Sequence, residues 1–145
     1  MNELNATRRN GALQPLSNEH QDGLVFVTRV RQGLRKRTNI ERLRKYVSWY
    51  WKNHVRPHFF QEEKILVPLI SSGHSMVTQL KSEHDFIREL TIAIDQDPDP
   101  EDIKRLSAYI EAHIKWEEEC FFPLLEKELS ETELAIVAEK LRLTH

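Results

Sequence analysis

Apolar residues recur every three or four positions along almost the whole chain, and no segment alternates with a period of two, so the pattern predicts helices and no strand. Ser17 fits an N-cap, and a helix follows to about Lys36 with His20, Leu24, Val27, Val30 or Arg31, and Leu34 on its apolar stripe. Glu19 and Asp22 fall in its first turn, where negative charge favours the helix dipole. After a break at Thr38-Asn39, a long second helix carries Ile40, Leu43, Val47, Trp51, His54, His58, Glu62, Ile65 and Leu69. Pro57 predicts a kink just before His58, and Pro68 weakens the last turn. Ser71-Ser72-Gly73 leads to a third stripe of Val77, Leu80, His84, Ile87, Thr91 and Ile94. The run from Asp95 to Pro100 is a loop, with Asp99 capping a fourth helix and Pro100 at its first position. That helix shows Ile103, Leu106, Ile110, His113, Glu117, Cys120 and Leu124, and the capping box Ser130/Glu133 opens a fifth. The pattern predicts an all-α fold: an up-down-up-down four-helix bundle with a short fifth C-terminal helix over residues 17–145, after an N-terminal arm or loop over residues 1–16.

Composition narrows the class of protein. The chain of 145 residues has the length of one domain with one core. A net charge of −2 argues against a nucleic-acid partner, and the basic run from Arg29 to Arg37 reads as a solvated helix end. The single cysteine, Cys120, allows no internal disulfide and suits a reducing compartment, so a cytoplasmic location is expected. No apolar run reaches the roughly 20 residues of a membrane span, and no secretory signal is visible, so no membrane partner is expected.

The chemistry lies on the stripes. Each of the four long helices places one histidine there: His20, His58, His84 and His113. Halfway from His20 to His58 is residue 39, halfway from His58 to His84 is residue 71, and halfway from His84 to His113 lies between 98 and 99. All three are breaks. Residues equidistant from a turn lie at one height in antiparallel neighbours, so the four histidines should form one layer. Helices two and four also share the pattern H-x-x-x-E-E-x-x-x-x-P-L, from His58 to Leu69 and from His113 to Leu124. The four-residue step places Glu62 beside His58, and Glu117 beside His113, on one helical face. Two buried carboxylates without compensation would be very costly, and a pair of cations removes that cost. Four histidines and two glutamates suit two first-row transition metals, each taking two His, with both Glu bridging. The plainer alternative, a metal-free bundle with core histidines, must then explain four histidines in register with two matched glutamates.

With those residues in place, the chain resembles the hemerythrin-like, HHE cation-binding domains from about Pro15 to Leu143. The stretches "PLSNEHQDGL", "PHFFQEEKILVPL", "SEHDFIREL" and "HIKWEEECFFPLLE" carry the resemblance. It implies a non-heme centre of two iron ions (Fe2+/Fe3+), oxo- or hydroxo-bridged, that meets dioxygen, peroxide or nitric oxide. The implied ligands are His20, His58, Glu62, His84, His113 and Glu117; manganese or zinc pairs remain compatible. Oxygen-carrying hemerythrins have a second histidine one turn from the third-helix histidine, where this chain has Leu80 and Arg88. Their second carboxylate lies five residues after the last histidine, which makes Glu118 the alternative to Glu117. The lost histidine leaves an extra open coordination position and shifts the expectation from oxygen carriage towards reactivity.

His54 reads as a core histidine, with a seventh ligand or an orienting partner as the alternative. Glu63 and Glu118 point about 100° away from their neighbours and read as solvated or as outer partners of the site. Cys120 reads as buried filler, and Trp49, Tyr50, Trp51, Trp116, Phe59, Phe121 and Phe122 as packing residues. His74 and His145 read as exposed. Three functions stay open: a binding or sensing protein, an enzyme of oxidative or nitrosative stress defence (peroxide or NO chemistry, or iron donation for iron–sulfur repair), and a metal-free interaction module. The first two share a small-molecule ligand. A protein partner or a homo-oligomer is left open.

Overall fold

The computed structural model describes residues 9–144, so most of the expected N-terminal arm and His145 lie outside the described residues. Helices occupy nearly all of that span, and no strand is present among the described residues. Helix α1 (Gln14–Arg35) begins three residues before Ser17. Asn10 starts it, accepting the N–H of Leu13 on its carbonyl at 2.9 Å and that of Ala12 on its side chain at 2.9 Å. Pro15 then supplies a preset φ in the first turn. Ser17 is therefore not the cap. It is buried, its hydroxyl serves another partner, and Glu19 lies past the first turn.

The second rod is continuous but not uniform. It comprises α2 (Ile40–Tyr50), a π turn (Trp51–Val55), α3 (Arg56–Gln61), a second π turn (Glu62–Leu66) and a 3₁₀ turn (Val67–Leu69). Next come α4 (Ser75–Gln96) and α5 (Pro100–Trp116), the latter running through a π turn (Glu117–Phe121) into α6 (Phe122–Glu128). Helix α7 (Glu131–Leu143) opens on the Ser130/Glu133 capping box.

Each π turn ends two residues before a proline: Pro57, Pro68 and Pro123. Proline has no N–H for the carbonyl four residues back, and its ring crowds that carbonyl. Widening the turn to five-residue bonds relieves the crowding: the N–H groups of Arg56, Val67 and Phe122 reach the carbonyls of Trp51, Glu62 and Glu117. The kink expected at Pro57 takes this form, and it has two counterparts.

A π turn inserts one residue, so the stripe beyond it moves on by one. Phe121 and Leu125 are fully buried where an unbroken period expects Cys120 and Leu124, and Cys120 is exposed rather than filling the core. Leu66 and Ile70 are buried in place of Leu69. His54, just inside the first π turn, is exposed, and Trp49 is 52% exposed, so neither is a core residue. His74 is half-buried, its Nδ1 capping α4 by accepting the N–H of Met76 at 3.1 Å. Helix α4 has no insertion, and its buried set is the six residues of its stripe.

Helix α1 packs on α5, α5 on α4, α4 on α2, and α2 on α1. The core falls into two clusters, one around Leu16, Leu66, Leu80, Phe121 and Leu125, the other around Phe26, Val30, Ile87, Ile94 and Leu106. The histidine layer lies between them. Among the described residues, no helix is long and apolar enough to cross a membrane.

Candidate metal centre

His20, His58, Glu62, His84, His113 and Glu117 are all buried. The imidazoles meet in pairs, His20 with His58 and His84 with His113, each at 5.0 Å between ring centroids. Facing atoms fall into two sets whose members all lie within 4.8 Å of one another: His20, His58, Glu62 and Glu117, and then Glu62, His84, His113 and Glu117. Both glutamates belong to both sets. Glu118 belongs to neither, and nor does His54, whose ring stacks on Tyr50 at 4.9 Å.

All four Nε2 atoms face inward. Those of His20 and His84 donate to Glu117 at 2.8 Å and to Glu62 at 3.0 Å. The Nε2 atoms of His58 and His113, and one oxygen each of Glu62 and Glu117, are buried without a hydrogen bond. Native interiors rarely tolerate such orphans. His58 Nε2 lies 3.2 Å from Glu62 and His113 Nε2 3.4 Å from Glu117, approaches that form no hydrogen bond and that a cation among these atoms would complete, so the residues present fit a metal.

All four Nδ1 atoms face outward, and each donates to a carboxylate. His58 takes Glu19 at 2.7 Å, and His84 takes Glu63 at 2.6 Å. His113 takes Glu83 at 2.6 Å, and His20 takes Glu118 at 2.6 Å. Each carboxylate comes from the rod before, so the ring closes on itself through all four rods. These bonds fix each ring's orientation with Nε2 inward, and once the inner protons leave they would present the Nε2 lone pairs to a metal, as metal-binding histidines require. Glu63 and Glu118 are thus outer partners of the layer, Glu63 still partly in water and Glu118 buried. Glu19 and Glu83 escape a stripe-based reading because they serve a neighbouring helix; their one signal is adjacency, each directly preceding a stripe histidine.

Without a metal, protons stand between these groups. Burial alone would depress His113, but the carboxylates of Glu117 and Glu83 outweigh it and raise its pKa to about 10. His20 and His58 are raised against burial in the same way, by Glu117 with Glu118 and by Glu62, Glu117 and Glu19. Burial would raise Glu117, yet the His113 charge and the bonds around it hold its carboxyl well below the usual range.

Aromatic rings close the layer. Phe59 stacks on His84 at 3.6 Å and Phe122 on His20 at 5.3 Å. Beside the layer a cavity of about 70 Å³ remains, walled by His20, Tyr50, His58, Phe59, His113 and Ile114. One water needs about 10–15 Å³ of such space, so the cavity has room for a small molecule beside the layer.

The hemerythrin HHE cation-binding domain model matches residues 11–102. This chain belongs to that family. The matched stretch holds His20, His58, Glu62 and His84; the hemerythrin fold of this chain adds His113 and Glu117 from beyond it. No curated protein and no solved structure matches the chain.

Proposed function

We propose that this chain is a non-heme di-iron protein that binds dioxygen, peroxide or nitric oxide at a four-His, two-Glu centre. One observation carries the reading: two buried four-residue ligand sets share both Glu62 and Glu117, with the Nε2 atoms of His58 and His113 set against those carboxylates without a hydrogen bond. His20 and His58 would hold one ion, His84 and His113 the other, and both glutamates would bridge. Imidazole with carboxylate suits iron among the first-row metals, and the pair would supply electrons to a small oxidant. The chain's own groups orient the imidazoles through the outer carboxylates, keep bulk water out with Phe59 and Phe122, and leave the adjoining cavity for a small ligand. The ring of contacts from α1 through α5, α4 and α2 supports an up-down-up-down order.

Leu80 and Arg88 stand one turn either side of His84, so neither set gains a fifth protein ligand from that helix. This favours an enzyme of stress defence as the second reading. Addition of peroxide to anaerobically iron-loaded protein, or of azide to the same protein after oxidation in air, decides the matter. Visible charge-transfer bands on addition are expected for the di-iron reading, and peroxide consumption over many turnovers would favour the enzyme. A spectrum unchanged by either anion would sink both.

A further inference from the structure

The four outer carboxylates are not equivalent. Those of Glu19, Glu63 and Glu83 are 34%, 30% and 28% exposed, so water shares their charge. Glu118 is 4% exposed, and its charge is met by Arg9, itself 8% exposed. Arg9 donates to the Glu118 carboxylate at 3.2 Å and to the Glu118 backbone carbonyl at 2.8 Å. Ser17 donates to the other Glu118 oxygen at 2.7 Å, the oxygen that also takes His20. Arg9 reaches further, to Glu126 at 3.0 Å, and Asn10 adds a backbone bond to the same carboxylate. Its guanidinium lies 5.5 Å from the centre of the Phe122 ring, the ring that stacks on His20. One side chain outside the helices thus braces two groups that orient His20: its outer hydrogen-bond partner, Glu118, and its aromatic cover, Phe122.

We propose that Arg9 is a positioning residue that makes retention of the metal at His20 and His58 depend on the segment before α1, while the metal at His84 and His113 is held independently of it. This rests on the two-metal reading above. A buried carboxylate without its partner charge is costly, so Glu118 loses its fixed place once Arg9 is gone. His20 then loses its orientation, and outer-partner losses of this kind weaken metal binding by about 10–100-fold. The other pair's partners, Glu63 and Glu83, face water; Arg88 approaches Glu63 at 3.5 Å, but both side chains are about one-third exposed, so solvent can replace that contact.

Release of iron from the loaded full chain to a chelator, followed against time, tests this. Arg9→Met keeps the aliphatic stem over Phe122 and removes the charge. One iron should leave roughly tenfold faster than in the unsubstituted protein, while the second leaves at the unsubstituted rate. Arg9→Lys, which keeps the charge without the fork, should fall between, and it carries the test if Arg9→Met fails to fold. Both irons leaving at the unsubstituted rate, or both accelerated equally, would overturn the role of Arg9. If the unsubstituted protein holds fewer than about one iron per chain, the two-metal reading falls and this inference with it.

Discussion

His113 shows how protons and metals compete for the same groups. In the metal-free protein its pKa stands at about 10, against an ordinary 6.5, so its protonated form contributes stability that is complete below about 6.5 and is lost as pH rises through about 10. Glu117 runs the other way: its contribution is present above an ordinary 4.5 and is lost as pH falls through its lowered value. The Tm of metal-free protein should therefore be highest in the mildly acidic range and fall steadily from pH 7 to pH 10. Metal replaces those protons, so loaded protein should lose little Tm over the same range, and metal should leave in acid as the histidines protonate. Thermal scans of both forms across pH check this; parallel Tm curves would contradict it. The outer carboxylates also mark a boundary of sequence reading. His20, His58, His84 and His113 show themselves because they interrupt apolar stripes, whereas Glu19 and Glu83 interrupt nothing and act across a gap between helices.

At the scale of elements, the π turns decide which residues face the layer. Glu62 and Glu117 each begin one, and the next residue, Glu63 or Glu118, reaches a histidine of a neighbouring rod. The prolines announce local trouble in the sequence, but a kink and an inserted residue look alike there. That is why Cys120 and Leu124 are expected inside and Phe121 and Leu125 are found there, whereas α4, which lacks such a proline, is readable throughout. Helix contact is also close where sequence gives no warning. A Cβ on Gly23 of α1 would come within 2.7 Å of Ile114 Cδ1 on α5. Gly23→Leu should therefore destabilise the fold by about 1–3 kcal/mol, as overpacking does. Adding Ile114→Ala should recover part of it. Urea midpoints of the single and double variants measure both effects, and a Gly23→Leu midpoint at or above that of the unsubstituted protein would show that the two helices separate freely.

The whole molecule is two apolar clusters with a polar layer between them. Short connections make that layer legible from sequence, because equal distances from each break place His20, His58, His84 and His113 at one height. The closed ring of carboxylates and the brace from Arg9 depend on which rods become neighbours, and no single helix records that. Metal should complete this layer, since four of its buried atoms otherwise have no hydrogen bond. The most direct measurement is the iron retained per folded chain after anaerobic loading and desalting, in the unsubstituted protein and in Glu62→Ala/Glu117→Ala. Two irons per chain are expected in the first, and loss of the pair in the second. Fewer than about one iron in the unsubstituted protein with its helices intact, or two irons kept by the double variant, would contradict a dinuclear centre bridged by these glutamates.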